Sequence, residues 1–233
     1  MFFERRLNVK VNRYLNTYLN TNIENMIYLI GGPPKCGKTT LAKTFSKSAG
    51  IPWVSTDTLQ CVIQPYMDKE TLSEKFPTSA QRCKDNDEKY SKYSTQEIVD
   101  AYKIQAETAY QAIEMFVECE IVDGNDYIVE GYHIEPELAE KLKSKFPDKI
   151  KNIFLVKSDT DKFVADIKKS TTPNDWIIAR THDDETFSKI AEMICEYGNY
   201  FKTESEKYGF DVLNMDDDFE IKIQEAVDYL MRK

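Results

Sequence analysis

The fold is decided by the stretch Gly32-Pro33-Pro34-Lys35-Cys36-Gly37-Lys38-Thr39. It matches G-x-x-x-x-G-K-T, the Walker A or P-loop pattern. Before it, Met26-Ile27-Tyr28-Leu29-Ile30 is a short, mostly apolar run typical of a buried parallel strand. After it, residues 41–46 continue in a helical pattern. Because strand, glycine-rich loop and helix follow one another, a chance match in a turn is a poor alternative.

The P-loop pattern predicts a site for the phosphates of a nucleoside triphosphate. Glycines let the backbone approach the phosphates, loop N–H groups point at them, and the helix N-terminus adds partial positive charge. Lys38 would reach the β- and γ-phosphates, and the Thr39 hydroxyl would bind Mg²⁺. ATP and Mg²⁺ are therefore the predicted cofactors. The predicted nucleotide-binding residues are Gly32, Pro33, Pro34, Lys35, Cys36, Gly37, Lys38, Thr39 and Thr40.

Composition limits the class of protein. The chain has 233 residues, of which 41% are hydrophobic, so it suits one large domain or a domain with an insertion. The formal charge of −9 is opposite in sign to that of a typical nucleic-acid binder, so a nucleic-acid partner is disfavoured. No apolar run reaches the roughly 18 residues that a membrane-spanning helix needs.

Cysteine and histidine usage indicates a reducing compartment and no zinc site. The five cysteines are odd in number and form no C-x-x-C pair, which favours reduced thiols in a cytoplasmic protein. His133 and His182 have no partners at ligand spacing. Cys36 has two interpretations: a redox switch at a helix N-terminus, or a small residue tolerated in the loop.

Residues 1–25 differ from the rest because they are basic and rich in asparagine. Apolar side chains recur there at helical spacing, and the segment is too polar for a signal peptide. We expect an appendage without catalytic duty, while residues 26–233 form the catalytic domain. An upstream extension before a natural start at Met26 is the alternative.

Apolar runs and helical patterns alternate along the domain, which predicts a parallel sheet covered by helices on both faces. After the first strand, the predicted strands are 51–55, 127–129, 153–156 and 211–214. About seventy residues separate the second strand from the third. In that insertion, 84–92 is predicted to be a loop, and Ser94-x-x-Glu97 is a capping box that starts a long helix.

Three residues outside the P-loop are candidates for chemistry. Ligands gather at the carboxyl ends of parallel strands, where Asp57 and Glu130 fall. Asp57 is predicted to accept or orient the proton of an acceptor hydroxyl, and Glu130 is placed like a Walker B carboxylate, so Thr39 and Glu130 are the predicted metal site. Arg180 is predicted to close over the phosphates, with Lys168 and Lys169 as runners-up.

Each candidate also has a purely structural interpretation. Asp57 could cap the helix that begins at Thr58. Glu130 and Gly131 could form a turn, and Arg180 could be an ordinary surface arginine. Tyr102 and Gln105 on the long helix could face an acceptor pocket or pack in the core, and His133 is expected to be structural or on the pocket wall.

These residues resemble the P-loop kinase group, which includes nucleoside monophosphate kinases, gluconate and shikimate kinases, 2-phosphoglycerate kinase and zeta-toxin-type kinases. The resemblance rests on 32–40, 55–57, 128–131 and the insertion that holds Arg180. The segment 128–133 looks most like 2-phosphoglycerate kinase and zeta-type relatives. Unlike a typical lid, which carries two or more arginines, this one has only Arg180.

The resemblance implies a three-layer α/β/α fold with a five-stranded parallel sheet in the order 2-3-1-4-5. It also implies a helical acceptor-binding insertion, here 58–126, a lid, here 168–187, and a motif near 214–216 that borders the adenine. No arginine follows closely after Asp57, so a nucleoside monophosphate acceptor is less expected than a small hydroxylated metabolite.

The leading hypothesis is an ATP-dependent, Mg²⁺-requiring kinase whose partner is a small hydroxyl-bearing acceptor. One alternative is an NTP-binding regulatory or assembly module, for which Asp57 is not needed beside the γ-phosphate. A nucleotide or polynucleotide kinase is the other, and it requires cations near the acceptor pocket.

Overall fold

The computed structural model describes residues 25–81, 83–170 and 175–232. The predicted extension 1–25 lies outside them except for Asn25. Within the described residues the strands form one parallel five-stranded sheet with the order β2-β3-β1-β4-β5, as predicted. The strands are β1 Ile27–Gly31, β2 Trp53–Ser55, β3 Tyr127–Glu130, β4 Ile150–Val156 and β5 Val212–Asn214.

The central strand β1 is buried by its neighbours on both sides. It pairs with β3 from Ile27 to Ile30 and with β4 from Ile27 to Gly31. Ile27, Leu29 and Ile30 are fully buried, as expected for a strand that helices cover on both faces. All carboxyl ends therefore meet at one edge, where the P-loop leaves β1.

Helices connect consecutive strands and cover the sheet. The long helices end at glycines in left-handed conformation, which satisfy the last carbonyl groups. The helices are α1 Lys38–Ala49, α2 Thr56–Ile63, α3 Lys69–Lys75, α4 Pro77–Ala80, α5 Asn86–Lys92, α6 Thr95–Asp123, α7 Pro136–Lys145, α8 Thr160–Ile167, α9 Trp176–Arg180, α10 Asp184–Tyr208 and α11 Phe219–Met231. No helix in this described part of the chain is both long and apolar enough to span a bilayer.

One local prediction was wrong and one alternative interpretation is excluded, and helix capping explains both. The predicted loop 84–92 is largely the helix α5, because Asp85 accepts a hydrogen bond from the Glu88 N–H and Tyr90 is buried. The cap of α2 is Ser55, whose hydroxyl accepts from the Asp57 N–H at 3.3 Å. Asp57 therefore lies inside the helix, and its carboxylate is not the cap. The capping box at Ser94 and Glu97 is confirmed.

A buried carboxyl group lies where α6, α7 and α10 meet. Glu135 is 1% exposed, and it accepts hydrogen bonds from the hydroxyls of Tyr110 at 2.5 Å and Tyr197 at 3.1 Å. Burial raises its pKa from 4.5 to about 7, although the two tyrosines and Lys103 act in the opposite direction. The neutral acid is therefore the form that suits this site.

We expect the free energy of unfolding to fall as pH rises from about 4.5 to about 7. The folded-state pKa of Glu135 lies above its unfolded value, so the stabilisation is complete below the unfolded pKa and is lost as the pH passes through the folded pKa. The shift corresponds to roughly 3 kcal/mol. Urea unfolding across this pH range should show that the free energy of unfolding falls with pH in the wild type. The fall should be absent in Glu135→Gln. Glu137→Gln, at an exposed position of α7, should retain it; equal slopes in all three proteins would contradict the assignment.

Candidate functional site

A cavity of about 1070 Å³ opens at the carboxyl edge of the sheet. The P-loop and the start of α1 form its floor. One wall comes from β3 and the insertion between β2 and β3, and the opposite wall comes from α8, α9 and the start of α11. The wall residues used below are Asp57, Tyr102, Glu130, Gly131, Tyr132, Lys157, Lys162, Lys169, Asp175, Trp176 and Phe219.

The P-loop is shaped by close backbone approaches. Gly32 has φ 129°, and a Cβ there would overlap the carbonyl oxygen of Leu155 in β4, so only glycine fits. Lys38 is 7% exposed, and its ammonium group donates to the Pro33 carbonyl at 2.5 Å. The ammonium thus lies folded across the loop, at the cavity floor where phosphate oxygens would replace that carbonyl as acceptors.

Thr39 and Glu130 meet at the edge of this floor. The Thr39 hydroxyl donates to the Glu130 carboxylate at 3.0 Å, and Glu130 is 2% exposed. Burial raises the pKa of Glu130, and Lys38 and the hydroxyls of Thr39 and Ser55 partly offset this effect. A hydroxyl beside a carboxylate is the hard oxygen pair that Mg²⁺ prefers, so these two residues fit the predicted metal.

Asp57 is brought beside Glu130 by strand register. Ser55 pairs with Glu130, and Asp57 follows two residues later in the first turn of α2. Gly131 has φ 154°, and a Cβ there would overlap the Thr56 hydroxyl, so glycine is needed for this approach. The Asp57 side chain is 68% exposed, and it lines the cavity. Desolvation by the cavity walls raises the pKa of Asp57, while the positive charge of Lys38 lowers it.

A hydrogen-bonded network supports the Asp57 side of the cavity. His133 is fully buried, and burial lowers its pKa to about 3, so the ring is neutral. Its Nε2–H donates to Gln60 Oε1 at 2.7 Å, which leaves Nδ1 to accept from the Thr56 hydroxyl at 2.7 Å. Tyr132 donates to Gln60 at 2.9 Å and accepts from Gln105 at 2.7 Å. His133 and Gln105 are therefore structural supports of the pocket wall.

The opposite wall carries charges of both signs, since Asp166, Asp175, Asp217, Asp218 and Glu220 line it together with three lysines. Lys157, Lys162 and Lys169 line it, and with Lys35 and Lys38 they bring the described lysines around the cavity to five. Lys35 pairs with the buried Asp175 at 2.8 Å, which ties the P-loop to the lid region. Lys168, the other predicted runner-up, pairs instead with Asp184 at 2.6 Å.

Arg180 is not brought to the phosphates. Its guanidinium group donates to the carbonyls of Cys83 at 2.9 Å and Lys84 at 3.1 Å, outside the described lining of the cavity. The lid is therefore docked on the acceptor insertion, and catalysis by Arg180 would require α9 to move. Asp87 strengthens this docking, because it accepts from the N–H groups of His182 and Asp183.

Folding creates one acidic cluster that sequence spacing did not indicate. Oxygens of Asp85 and Asp87 lie within 4.8 Å of each other and of a ring nitrogen of His182. Both carboxylates already accept backbone hydrogen bonds, Asp85 as the cap of α5 and Asp87 in the lid contact. The cluster therefore has a structural use in holding the lid against the insertion.

Sequence reasoning missed several cavity residues. Tyr132 and Lys157 had an available signal, since each follows the carboxyl end of a strand. Lys162, Trp176 and Phe219 had none, because helix packing alone brings them to the cavity. Cys36 is fully buried, and burial raises its thiol pKa to about 12, which favours the interpretation as a small loop residue over a redox switch.

Comparison with known proteins gives a family and a fold. Residues 25–172 match the family model described as isopentenyl transferase. No curated protein matches the chain. A gluconokinase from Sinorhizobium meliloti superposes with a TM-score of 0.51 at 11% identity, over 90% of this chain and 93% of that one. A shikimate kinase from Bacteroides thetaiotaomicron gives 0.50 at 14% identity, over 88% and 96%. The two structures show that the fold is that of P-loop kinases.

Proposed function

Because the chain belongs to the isopentenyl transferase family and has the P-loop kinase fold, we propose that it is a transferase whose P-loop holds the phosphates of its donor. One observation carries the proposal: Lys38, the Thr39–Glu130 pair and Asp57 line the same cavity. A regulatory ATPase has no need of a carboxylate such as Asp57 at that place. Its position therefore favours group transfer to an acceptor.

The transferred group that this site supports best is the γ-phosphoryl group of ATP. Lys38 on the cavity floor and the Thr39–Glu130 pair suit a triphosphate with its Mg²⁺, and about 1070 Å³ accommodates a nucleotide together with a small acceptor. The acceptor oxygen attacks the γ-phosphorus, the bond from that phosphorus to the β–γ bridging oxygen breaks, and ADP leaves. The proton of the acceptor hydroxyl passes to Asp57.

Each residue has a defined role in this reaction. Lys38 stabilises charge on the transferring group, and lysines of the opposite wall offset the charge of the remaining phosphates. Thr39 and Glu130 would hold Mg²⁺, which supplies further neutralisation of phosphate charge when bound. Asp57 suits a general base, because the desolvation that raises its pKa makes its carboxylate a better proton acceptor. Arg180 remains a proposed catalytic cation for a closed lid.

Isopentenyl transfer is the second candidate, and the family match favours it. The matched residues include the P-loop, Asp57 and Glu130. In this reaction the P-loop would hold the diphosphate of the donor, which is also the leaving group. Asp57 would take a proton from the attacking atom of the acceptor, so both candidates use the same residues.

The donor decides between the two reactions. The purified protein should be incubated with Mg²⁺ and a metabolite pool, together with either ATP labelled at the γ-phosphate or labelled dimethylallyl diphosphate. We expect label to move from ATP to an acceptor. Transfer from the prenyl diphosphate alone would establish the second candidate, and turnover of ATP to phosphate without any labelled acceptor would support the regulatory alternative.

A further inference from the structure

The end of the cavity that holds Asp57 has an acidic lining, which restricts the acceptor. The lysines lie on the P-loop and on the wall formed by the β4–α8 region. The end beyond the P-loop is lined by Asp57, Tyr102, Glu130, Gly131 and Tyr132, and within the described residues it has no lysine or arginine. A carboxylate or phosphate placed there would lose its hydration and face the carboxylates of Asp57 and Glu130. The nearby ammonium of Lys38 is committed to the donor phosphates, and Lys89 lies outside the described lining of the cavity.

Tyr102 and Tyr132 form an aromatic corner at this end, but only one hydroxyl is available. Their rings meet edge to face with centroids 5.0 Å apart. The Tyr132 hydroxyl is used by Gln60 and Gln105. The Tyr102 hydroxyl has no hydrogen-bond partner within the described residues, although Tyr102 lines the cavity beside Asp57.

Contacts that do not involve the hydroxyl hold the Tyr102 ring in place. It stacks on the fully buried Tyr197 with centroids 5.9 Å apart, and the Lys89 ammonium lies 5.9 Å from its centroid. Gln105, one helical turn further along α6, is anchored by the N–H groups of Thr78 at 2.7 Å and Ser79 at 3.2 Å. These contacts restrain the Tyr102 ring, and a phenol restrained this way loses little entropy when it binds a ligand.

We propose that Tyr102 is a specificity-determining residue for the acceptor, that its hydroxyl hydrogen-bonds a second oxygen of the acceptor while Asp57 faces the reacting hydroxyl, and that the acceptor is an uncharged, hydroxylated molecule. This inference rests on the proposed function of the same site. The carboxylates of Asp57 and Glu130 disfavour hydroxy acids and phosphorylated acceptors at this end of the cavity. Burial and the nearby Asp57 raise the pKa of Tyr102 to about 12, so the phenol keeps its proton.

A binding measurement tests the acceptor class without requiring turnover. The protein is labelled with 3-fluorotyrosine, and the ¹⁹F signal of Tyr102 is assigned as the one absent from Tyr102→Phe. Two uncharged probes, myo-inositol and adenosine, and two anionic probes, gluconate and AMP, are then titrated in the presence of a non-hydrolysable ATP analogue. We expect an uncharged probe to shift the Tyr102 signal at lower concentration than either anionic probe. A shift by the anionic probes only, or by no probe, would overturn the proposal.

A kinetic measurement tests the role of the hydroxyl. With the uncharged probe that accepts phosphate best, Tyr102→Phe should raise the acceptor KM about 3- to 10-fold, the effect of one lost neutral hydrogen bond. The donor KM and the melting temperature should stay unchanged, because this hydroxyl makes no hydrogen bond to the described protein. Tyr127→Phe, at the far end of β3 and outside the cavity lining, is the control.

Failure of the phosphoryl-transfer proposal and failure of the role proposed for Tyr102 give different results. If an uncharged probe shifts the Tyr102 signal but receives no phosphate, the acceptor class stands and the phosphoryl-transfer proposal fails. If phosphate is transferred and Tyr102→Phe leaves the acceptor KM unchanged, transfer stands and the role of Tyr102 is refuted.

Discussion

Replacing Lys38 with alanine is expected to lower turnover by about 10²- to 10³-fold and to weaken donor binding strongly. The Lys38 ammonium lies across the P-loop at the cavity floor, where it donates to the Pro33 carbonyl in the place of a phosphate oxygen. Removing a preorganised donor that stabilises transition-state charge has effects of this size. Calorimetric titration with an ATP analogue and initial rates with the identified acceptor measure the two effects.

The control for Lys38→Ala is Lys47→Ala, on the same helix but exposed and outside the described lining of the cavity. It removes one positive charge without touching the P-loop, so binding and turnover should stay within twofold of the wild type. Circular dichroism should show that both variants are folded. A folded Lys38→Ala protein that binds and turns over the donor normally would refute the P-loop assignment.

Replacing Asp57 with asparagine is expected to lower group transfer by about 10²- to 10⁴-fold while donor binding stays nearly unchanged. Asparagine preserves the shape of the side chain but cannot accept the proton of the acceptor, and general-base catalysis contributes a factor of this order. The pH profile gives a second measurement. Since the pKa of Asp57 is raised, wild-type activity should increase with pH through an acid limb that lies above pH 3.8, and Asp57→Asn should lack this limb.

Asp161→Asn is a closely matched control for Asp57→Asn. Both aspartates follow a threonine that begins a helix, so both substitutions remove a negative charge from the first turn of a helix. Asp161 is exposed and lies outside the described cavity lining, so its replacement should leave turnover intact. Equal rates for Asp57→Asn and the wild type with the true acceptor would reduce Asp57 to a structural residue.

The sheet could be predicted from the sequence because its signals are local. Each strand is an apolar run, and the P-loop identifies the central strand. The order of the strands came from the family resemblance, since apolar runs alone do not specify which strands pair. Helix α5 was missed because its polar sequence reads as a loop, and its buried contacts, such as the hydrogen bonds from Asn86 to Trp176 and Thr181, join residues about ninety positions apart.

The catalytic candidates also divide into two groups: residues at strand ends, which the sequence locates, and a residue in a connecting segment, which tertiary packing positions. Asp57 and Glu130 were predicted because a parallel sheet places its strand ends at one edge, and the structure brings both to the cavity. Arg180 was chosen for its neighbourhood in the sequence, and it points to the carbonyls of the acceptor insertion instead. A side chain in a connecting segment is positioned by packing between distant segments, which no local pattern records.

The sequence by itself determined the donor side, because a P-loop uses consecutive residues whose backbone geometry is set by Gly32 and its neighbours. It also determined which strand-end carboxylates face that loop. Only the tertiary structure decided the acidic lining at the Asp57 end and left the Tyr102 hydroxyl without a hydrogen-bond partner among the described residues. Those properties depend on which side chains of α6, α8 and α9 meet across the cavity, and on which of their polar groups are already satisfied by neighbours distant in the sequence.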